Sequence, residues 1–426
     1  MPDIEAMGGS PDLLPCIDAG TLSGSRKGSY ENRMVCILAT AGGVAALDAQ
    51  AIFYLMPFCA AEFKLTSQQI GFIGSAVLVG WALGGIIVAR LSDRNGRRKP
   101  YLIGAFACFG VLSGLSAAAR SFTSLLLARL LMGIAEGPVI PVKQAMVIAE
   151  SSPGRRGLNM GIVQNFGAQL LGTLIGPLLM VAMAQHLGWR SAFVLAGVPG
   201  LVVAVLVWKL LREPAPRAQL ASQTDPRRGA WQRLLSNRNI LISMTVALLS
   251  VAWFFIMLSF LPLYLMRQLH YSSGVMSIFM SLIGLAGVTS SVIVPRLSDH
   301  KGRRFAILCF SLVGALAPLG VIASGNNAWL SGLALVAGCQ MLGTFPLLMA
   351  TVPQESVELQ DRATATSLVM AFAQLGGGLI GPIAGGWLAE RAGSGAPMLL
   401  AGMLALIAAG LTPLLRETHV APLSAG

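Results

Sequence analysis

Charge is what this sequence has least of. Only 11% of its 426 residues are Asp, Glu, Lys or Arg, while 55% are hydrophobic, and the mean hydropathy is +0.71. A soluble chain of this length would carry about 25% charged residues and split into two or three domains, so a soluble globular protein is excluded. The six cysteines (Cys16, Cys36, Cys59, Cys108, Cys309 and Cys339) show no CxxC spacing and mostly fall inside apolar stretches. That pattern predicts neither disulfides nor a metal site. No nucleophile beside a base, metal-ligating cluster or phosphate loop is legible, so neither an enzyme nor a cofactor is expected.

The charge that is present is lopsided, with 30 Lys and Arg against 18 Asp and Glu for a formal net charge of +12. Such a balance can signal nucleic acid, but the basic residues crowd into alternate loops rather than onto one aromatic-laced face. The pattern is that of a membrane protein with its positive loops inside, and nucleic acid is not an expected partner.

Between the charges lie apolar blocks of about 20 residues, enough to cross roughly 30 Å of hydrocarbon as a helix. Twelve such blocks fall at 34–57, 69–90, 101–119, 123–148, 158–184, 190–211, 239–263, 274–295, 305–323, 328–352, 363–388 and 397–415. Residues 1–33, with Pro, Gly, Ser and Asp and no apolar core, read as a disordered tail rather than a signal peptide. The tail, the even-numbered junctions and the C-terminal segment 416–426 hold 23 Lys and Arg. The remaining loops hold five (Lys64, Arg120, Arg190, Arg267 and Arg391). Both termini are therefore expected in the cytoplasm, with the spans in the plasma membrane. Residues 212–238, rich in Pro, Arg and Gln, read as the linker between halves 34–211 and 239–415. From Trp231 this linker reads equally as a short interfacial helix or as solvated chain.

The halves repeat at an offset of about 205 residues. LSDRNGRR (91–98) returns as LSDHKGRR (297–304), LIGP (174–177) at 379–382, and LLRE (210–213) at 414–417. The fold class this predicts is an all-α membrane protein of twelve helices in two pseudo-symmetric six-helix bundles, with a site at mid-membrane between them.

Arg129, Glu136 and Lys143 interrupt the fourth apolar block and Asp48 the first. Steps of seven residues return to within about 20° on a helix, so the three share one stripe. A charge at mid-membrane costs about 2.5–3.5 kcal/mol on insertion scales, and such groups normally face a cavity or partners. By the repeat offset Asp48 maps to Trp253, Arg129 to Ala334 and Glu136 to Met341. Ionisable chemistry is thus confined to the N-terminal half. Burial favours a neutral carboxyl and a neighbouring Arg favours the carboxylate, so Asp48 and Glu136 are the proton-coupling candidates, with Arg129 as their partner. Lys143, nearer the cytoplasmic end, is open to a snorkelling role or a substrate contact. Gln164, Gln169, Trp253, Gln340 and Gln374 are further cavity candidates. Asp93, Arg94 and Arg97, with Asp299 and Arg303 in the second copy, are candidates for a cytoplasmic gate.

These residues resemble a major facilitator superfamily transporter over essentially the whole chain. The loop from Asp93 to Lys99 is similar to that superfamily's D-R-x-G-R-R/K loop, and Arg129 to Gly133 to its fourth-span R-x-x-x-G pattern. RLLMGIAEGPVIP (129–141) is similar to the anion:cation symporters, and GWRSAF (188–193) also suits the aromatic-acid:proton symporters. The first of these branches usually has Arg directly after the first-span Asp, where this chain has Ala49. That leaves Arg129, with Lys143 as a second cation, to meet an anion. The resemblance implies a monomeric, proton-coupled importer of a small organic anion, either a sugar acid or an aromatic carboxylate. A proton-coupled efflux antiporter remains the alternative.

Overall fold

The computed structural model describes residues 19–152, 154–214, 230–359 and 361–418. Among the described residues, twelve helices are long and apolar enough to span a membrane. In the first half they are α1 (Ser29–Glu62), α2 (Ser67–Ser92), α3 (Lys99–Ala117), α4 (Phe122–Glu150), α5 (Arg156–Leu187) and α6 (Trp189–Leu210). In the second they are α7 (Arg238–Gln268), α8 (Ser273–Lys301), α9 (Arg303–Ser324), α10 (Ala328–Glu355), α11 (Thr364–Ala392) and α12 (Ala396–Leu414). No strand occurs among the described residues. Helices satisfy their own backbone polar groups, the condition for crossing hydrocarbon.

Helix packing here depends on absent side chains. A Cβ at Gly84 would meet the backbone of Ile134, and one at Gly133 the backbone of Val77 and Trp81, so α2 and α4 touch main chain to main chain. The repeat reproduces such contacts: Gly172 seats α5 against Ala46 of α1, and Gly377 seats α11 against Leu248 and Ala252 of α7. With lipid on the outside, close backbone approach supplies dispersion contacts that apolar burial supplies in water.

The LLRE repeat also has a structural meaning. Glu213 accepts hydrogen bonds from the backbone N–H groups of Arg98 and Lys99, where α3 begins. Glu417 does the same for Arg303 and Arg304 at the start of α9. Each carboxylate meets orphan donors at a helix N-terminus, where the helix dipole favours negative charge.

Two sequence boundaries shift. The first helix runs Ala19–Glu62, so residues 19–33 are helical rather than a disordered tail, while residues 1–18 lie outside the described residues. Twelve residues into it, Glu31 ties the helix down by accepting from Ser152 N–H and from the Asn159 amide at 2.6 Å. Tyr30 also accepts from the backbone of Arg212. In the linker, Ala230–Ser236 forms the short helix, with Leu234 buried and Arg233 paired to Asp361 at 3.1 Å.

The close packing of α2 on α4 gives a direct test. Gly84→Val should lower stability by about 1–3 kcal/mol, seen as a lower Tm in detergent, whereas Gly114→Ala, with nothing within 4 Å of its new Cβ, should not. An unchanged Tm for Gly84→Val would mean that the two backbones are not in contact.

Candidate functional site

α4 carries the stripe of charge and changes course within it. Its regular helix ends at Glu136 and restarts at Val139, because Pro138 has no N–H to continue the ladder. Arg129 and Asp48 are 0% exposed, and Glu136 and Lys143 2%. All four must therefore be solvated by protein.

The arrangement sorts them into two groups. Asp48 Oδ1 accepts from Ser113 Oγ at 2.7 Å, and that hydroxyl also lies 2.8 Å from the Phe193 carbonyl oxygen. Arg129 Nε donates to Ser116 Oγ at 3.1 Å, Nη2 donates to the same oxygen, and the guanidinium lies 4.6 Å from the centre of the Phe193 ring. Ser113 and Ser116 are three residues apart, so one face of α3 solvates both ions. The expected pairing of Arg129 with the carboxyls is not formed. Asp48 Oδ2, Arg129 Nη1 and Glu136 Oε1 are buried without hydrogen-bond partners. One cation thus stands against two carboxyls with a polar atom of each uncommitted.

The second group lines a cavity of about 260 Å³ between the halves. Glu136, Lys143 and Gln164 face it from the first half, and Gln374 from the second. Lys143 Nζ donates to the Val163 carbonyl at 3.0 Å. It therefore lies along the cavity wall rather than snorkelling to the membrane surface. Arg129 and Asp48 do not line the cavity. Glu136 is the group that belongs to both compartments.

Three other candidates are elsewhere. Trp253 is 0% exposed; it is Phe254 and Phe255, one and two residues further on, that face the cavity. At 100° per residue, the position that symmetry assigns to Asp48 points into the core of the second half instead. Gln169 packs against Gly287, between α5 and α8. Gln340 donates to Thr289 Oγ1 at 2.9 Å, joining α10 to α8. Gln50, Phe53, Trp81, Phe254 and Phe255, which all line the cavity, are absent from the sequence-based candidates. Gln50 and Trp81 had a signal, each being a polar-tipped side chain in an apolar span; the phenylalanines had none.

The gate candidates are only partly assembled. Arg303 pairs with Asp299 and, at 3.1 Å, with Glu355, but all three belong to the second half. Arg94 and Arg97 are exposed, and the side chain of Asp93 lies outside the described residues. The counterpart of Arg303 is Arg98, whose backbone meets Glu213 and whose guanidinium donates to Ser92 Oγ at 3.0 Å, as Arg303 does to Ser298. Arg303 directly follows Gly302, whereas one residue separates Arg98 from Gly96, and that extra residue moves this role from Arg97 to Arg98.

Contacts between the halves seal the side away from the termini. Ser75 Oγ donates to the Leu379 carbonyl at 2.9 Å, Gln68 N–H to Glu390 at 3.0 Å, and Gln185 to Ser273 at 2.6 Å. Pro382 backbone lies directly against Gly71.

Residues 38–377 match the Major Facilitator Superfamily. The hexuronate transporter of Bacillus subtilis is 28% identical over 402 residues, covering 88% of this chain and 92% of its own. The 3-(3-hydroxy-phenyl)propionate transporter of Escherichia coli is 26% identical over 370 residues, covering 86% and 89%. Among solved structures, a D-xylose-proton symporter superposes with a TM-score of 0.74 over 91% of this chain and 98% of that one, at 17% identity, a likeness of fold.

For the buried cluster, Ser116→Ala removes the hydroxyl that accepts two Arg129 hydrogen bonds. Leaving a buried donor unmatched costs about 1–3 kcal/mol, so the variant should melt earlier than the parent protein in detergent. Equal melting curves would show that Ser116 does not hold the guanidinium.

Proposed function

The chain belongs to the major facilitator superfamily, and from that premise we propose that this multi-pass transporter is a proton-coupled importer of a small organic anion. It works by alternating access of its two halves. The observation that carries the proposal is the arrangement of Arg129, held by Ser116 and Phe193 and closed onto neither Asp48 nor Glu136. A guanidinium that moves toward a carboxyl favours its anion, and one that withdraws favours the acid. A rearrangement of Arg129 thereby converts movement of the halves into uptake or release of a proton.

Glu136 links that movement to substrate, since it faces the cavity that Lys143 also lines. An incoming carboxylate is attracted by Lys143 and repelled by an ionised Glu136, so substrate and proton favour each other's binding. That the relatives include transporters of hexuronate and of a hydroxyphenylpropionate supports an organic anion as substrate. The bias of Lys and Arg toward the terminus side supports cytoplasmic termini in the cell membrane. The sealed face is then external. A single chain supplies both halves of the cavity, so the working unit is the monomer.

Purified protein in liposomes should take up labelled carboxylates faster as the outside is made more acidic. Glu136→Gln and Asp48→Asn should each lose most gradient-driven accumulation, while exchange of substrate across the membrane persists. Acid-driven export with no acid-driven uptake would overturn the importer in favour of an antiporter, and full accumulation in both variants would remove Asp48 and Glu136 from coupling.

A further inference from the structure

Lys143 and a group of aromatic rings occupy one cavity, and their combination narrows the substrate. We propose that the cavity binds a planar aromatic monocarboxylate, with its carboxylate on the Lys143 ammonium and its ring among Phe53, Trp81, Phe254 and Phe255. This rests on the organic-anion transport proposed above and specifies its chemical class.

Size comes first. Pockets for drug-sized ligands run from about 300 to 1,000 Å³, so a cavity of about 260 Å³ suits one ring with a short acidic substituent. The charge comes next. Arg129 is turned to Ser116 and the Phe193 ring, which leaves Lys143 as the cation lining the cavity among the described residues. Ala49, where the resembling symporters carry Arg, also faces the cavity. An ammonium has three N–H donors, and Lys143 gives one to the Val163 carbonyl, leaving two for a carboxylate. A second carboxylate on the ligand would meet Glu136 with no further cation to balance it.

The polar complement disfavours a sugar acid. Such a molecule carries a hydroxyl on nearly every carbon, and each one buried without a partner opposes binding. Beyond Glu136 and Lys143, the polar side chains of the lining are the amides of Gln50, Gln164 and Gln374 and the indole of Trp81. The Gln50 carbonyl oxygen is already taken by Tyr54 Oη at 2.6 Å. Much of the α1 wall is Gly42, Ala45, Ala46 and Ala49, which offer no side-chain hydrogen bond.

Aromatic geometry supplies the positive argument. Phe53 of α1 and Phe255 of α7 have ring centres 6.2 Å apart at 52°, and Phe254 and Phe255 lie 5.3 Å apart at 66°. These are tilted and edge-on contacts of the kind aromatic quadrupoles prefer, and the first of them crosses from one half of the protein to the other. An aromatic ligand adds one more ring to that cluster and is gripped by both halves, whereas a saturated ring of similar size gains only burial.

The test is equilibrium binding to the full-length purified protein, by calorimetry, with benzoate, cyclohexanecarboxylate, benzamide and glucuronate as probes. Benzoate should bind, cyclohexanecarboxylate several-fold more weakly, and benzamide and glucuronate at least tenfold more weakly. Lys143→Met keeps an unbranched side chain, one atom shorter, but loses its charge, and should weaken benzoate at least tenfold while leaving benzamide unchanged. Trp81→Leu should weaken benzoate, with Trp81→Phe recovering part of the loss. Those two variants also guard against a Lys143→Met that fails to fold. Glucuronate binding as tightly as benzoate would overturn the aromatic assignment and leave organic-anion transport standing. Undiminished benzoate affinity in Lys143→Met would overturn Lys143 as the anchor. If no carboxylate binds and none is taken up under an acid gradient, the transport proposal beneath it falls as well.

Discussion

A guanidinium enclosed in a membrane bundle has no water to draw on, and much of the first half is arranged to supply what water would. Arg129 takes Ser116 as acceptor and the face of Phe193 as a soft counterpart, a ring quadrupole that attracts cations most strongly where water is excluded. Phe193 and Ser113 reach the cluster because α3 and α6 meet at Gly110 and Gly197, where a side chain on either would strike the other backbone. The backbone contacts, the serine face of α3 and the position of the guanidinium therefore form one construction. The same construction leaves Asp48 and Glu136 without a closed ion pair, because the cation they would share is held elsewhere.

The two halves duplicate a scaffold and divide the chemistry. Glu213 and Glu417 cap equivalent helix starts, and Gly172 and Gly377 seat equivalent helix pairs. Each of these is a backbone requirement, and any six-helix unit of this shape must meet it. Buried charge is different: every ion placed in the bundle needs a solvating shell, and that shell is built in the first half alone. The second half contributes aromatic and amide surface to the cavity instead, which fits a division into a proton side and a substrate side.

Glu136 stands where these meet. It lies at the break that Pro138 imposes on α4, with one face toward the Arg129 cluster and one toward the cavity. Lys143, two turns along the same stripe, carries the positive charge that the cavity presents. The arrangement separates the cation of the buried cluster from the cation of the cavity, although both belong to a single helix.

The sequence by itself determined the twelve spans, the duplicated halves and the isolation of ionisable residues in one of them. Those features follow from hydrophobic length, charge spacing and self-similarity, which are local or periodic properties of the chain. It also placed Arg129, Glu136 and Lys143 on one stripe, because helical periodicity alone requires that. Only the tertiary structure decided which of the three faces the cavity, since that depends on what α3 and α6 set against α4. It moved the clamp from Arg97 to Arg98, because one extra residue in a turn is invisible to a repeat aligned on its motif. It put Phe254 and Phe255 in the cavity and Trp253 in the core, since a symmetry offset fixes a position along a helix to within a residue, and one residue is 100° of rotation.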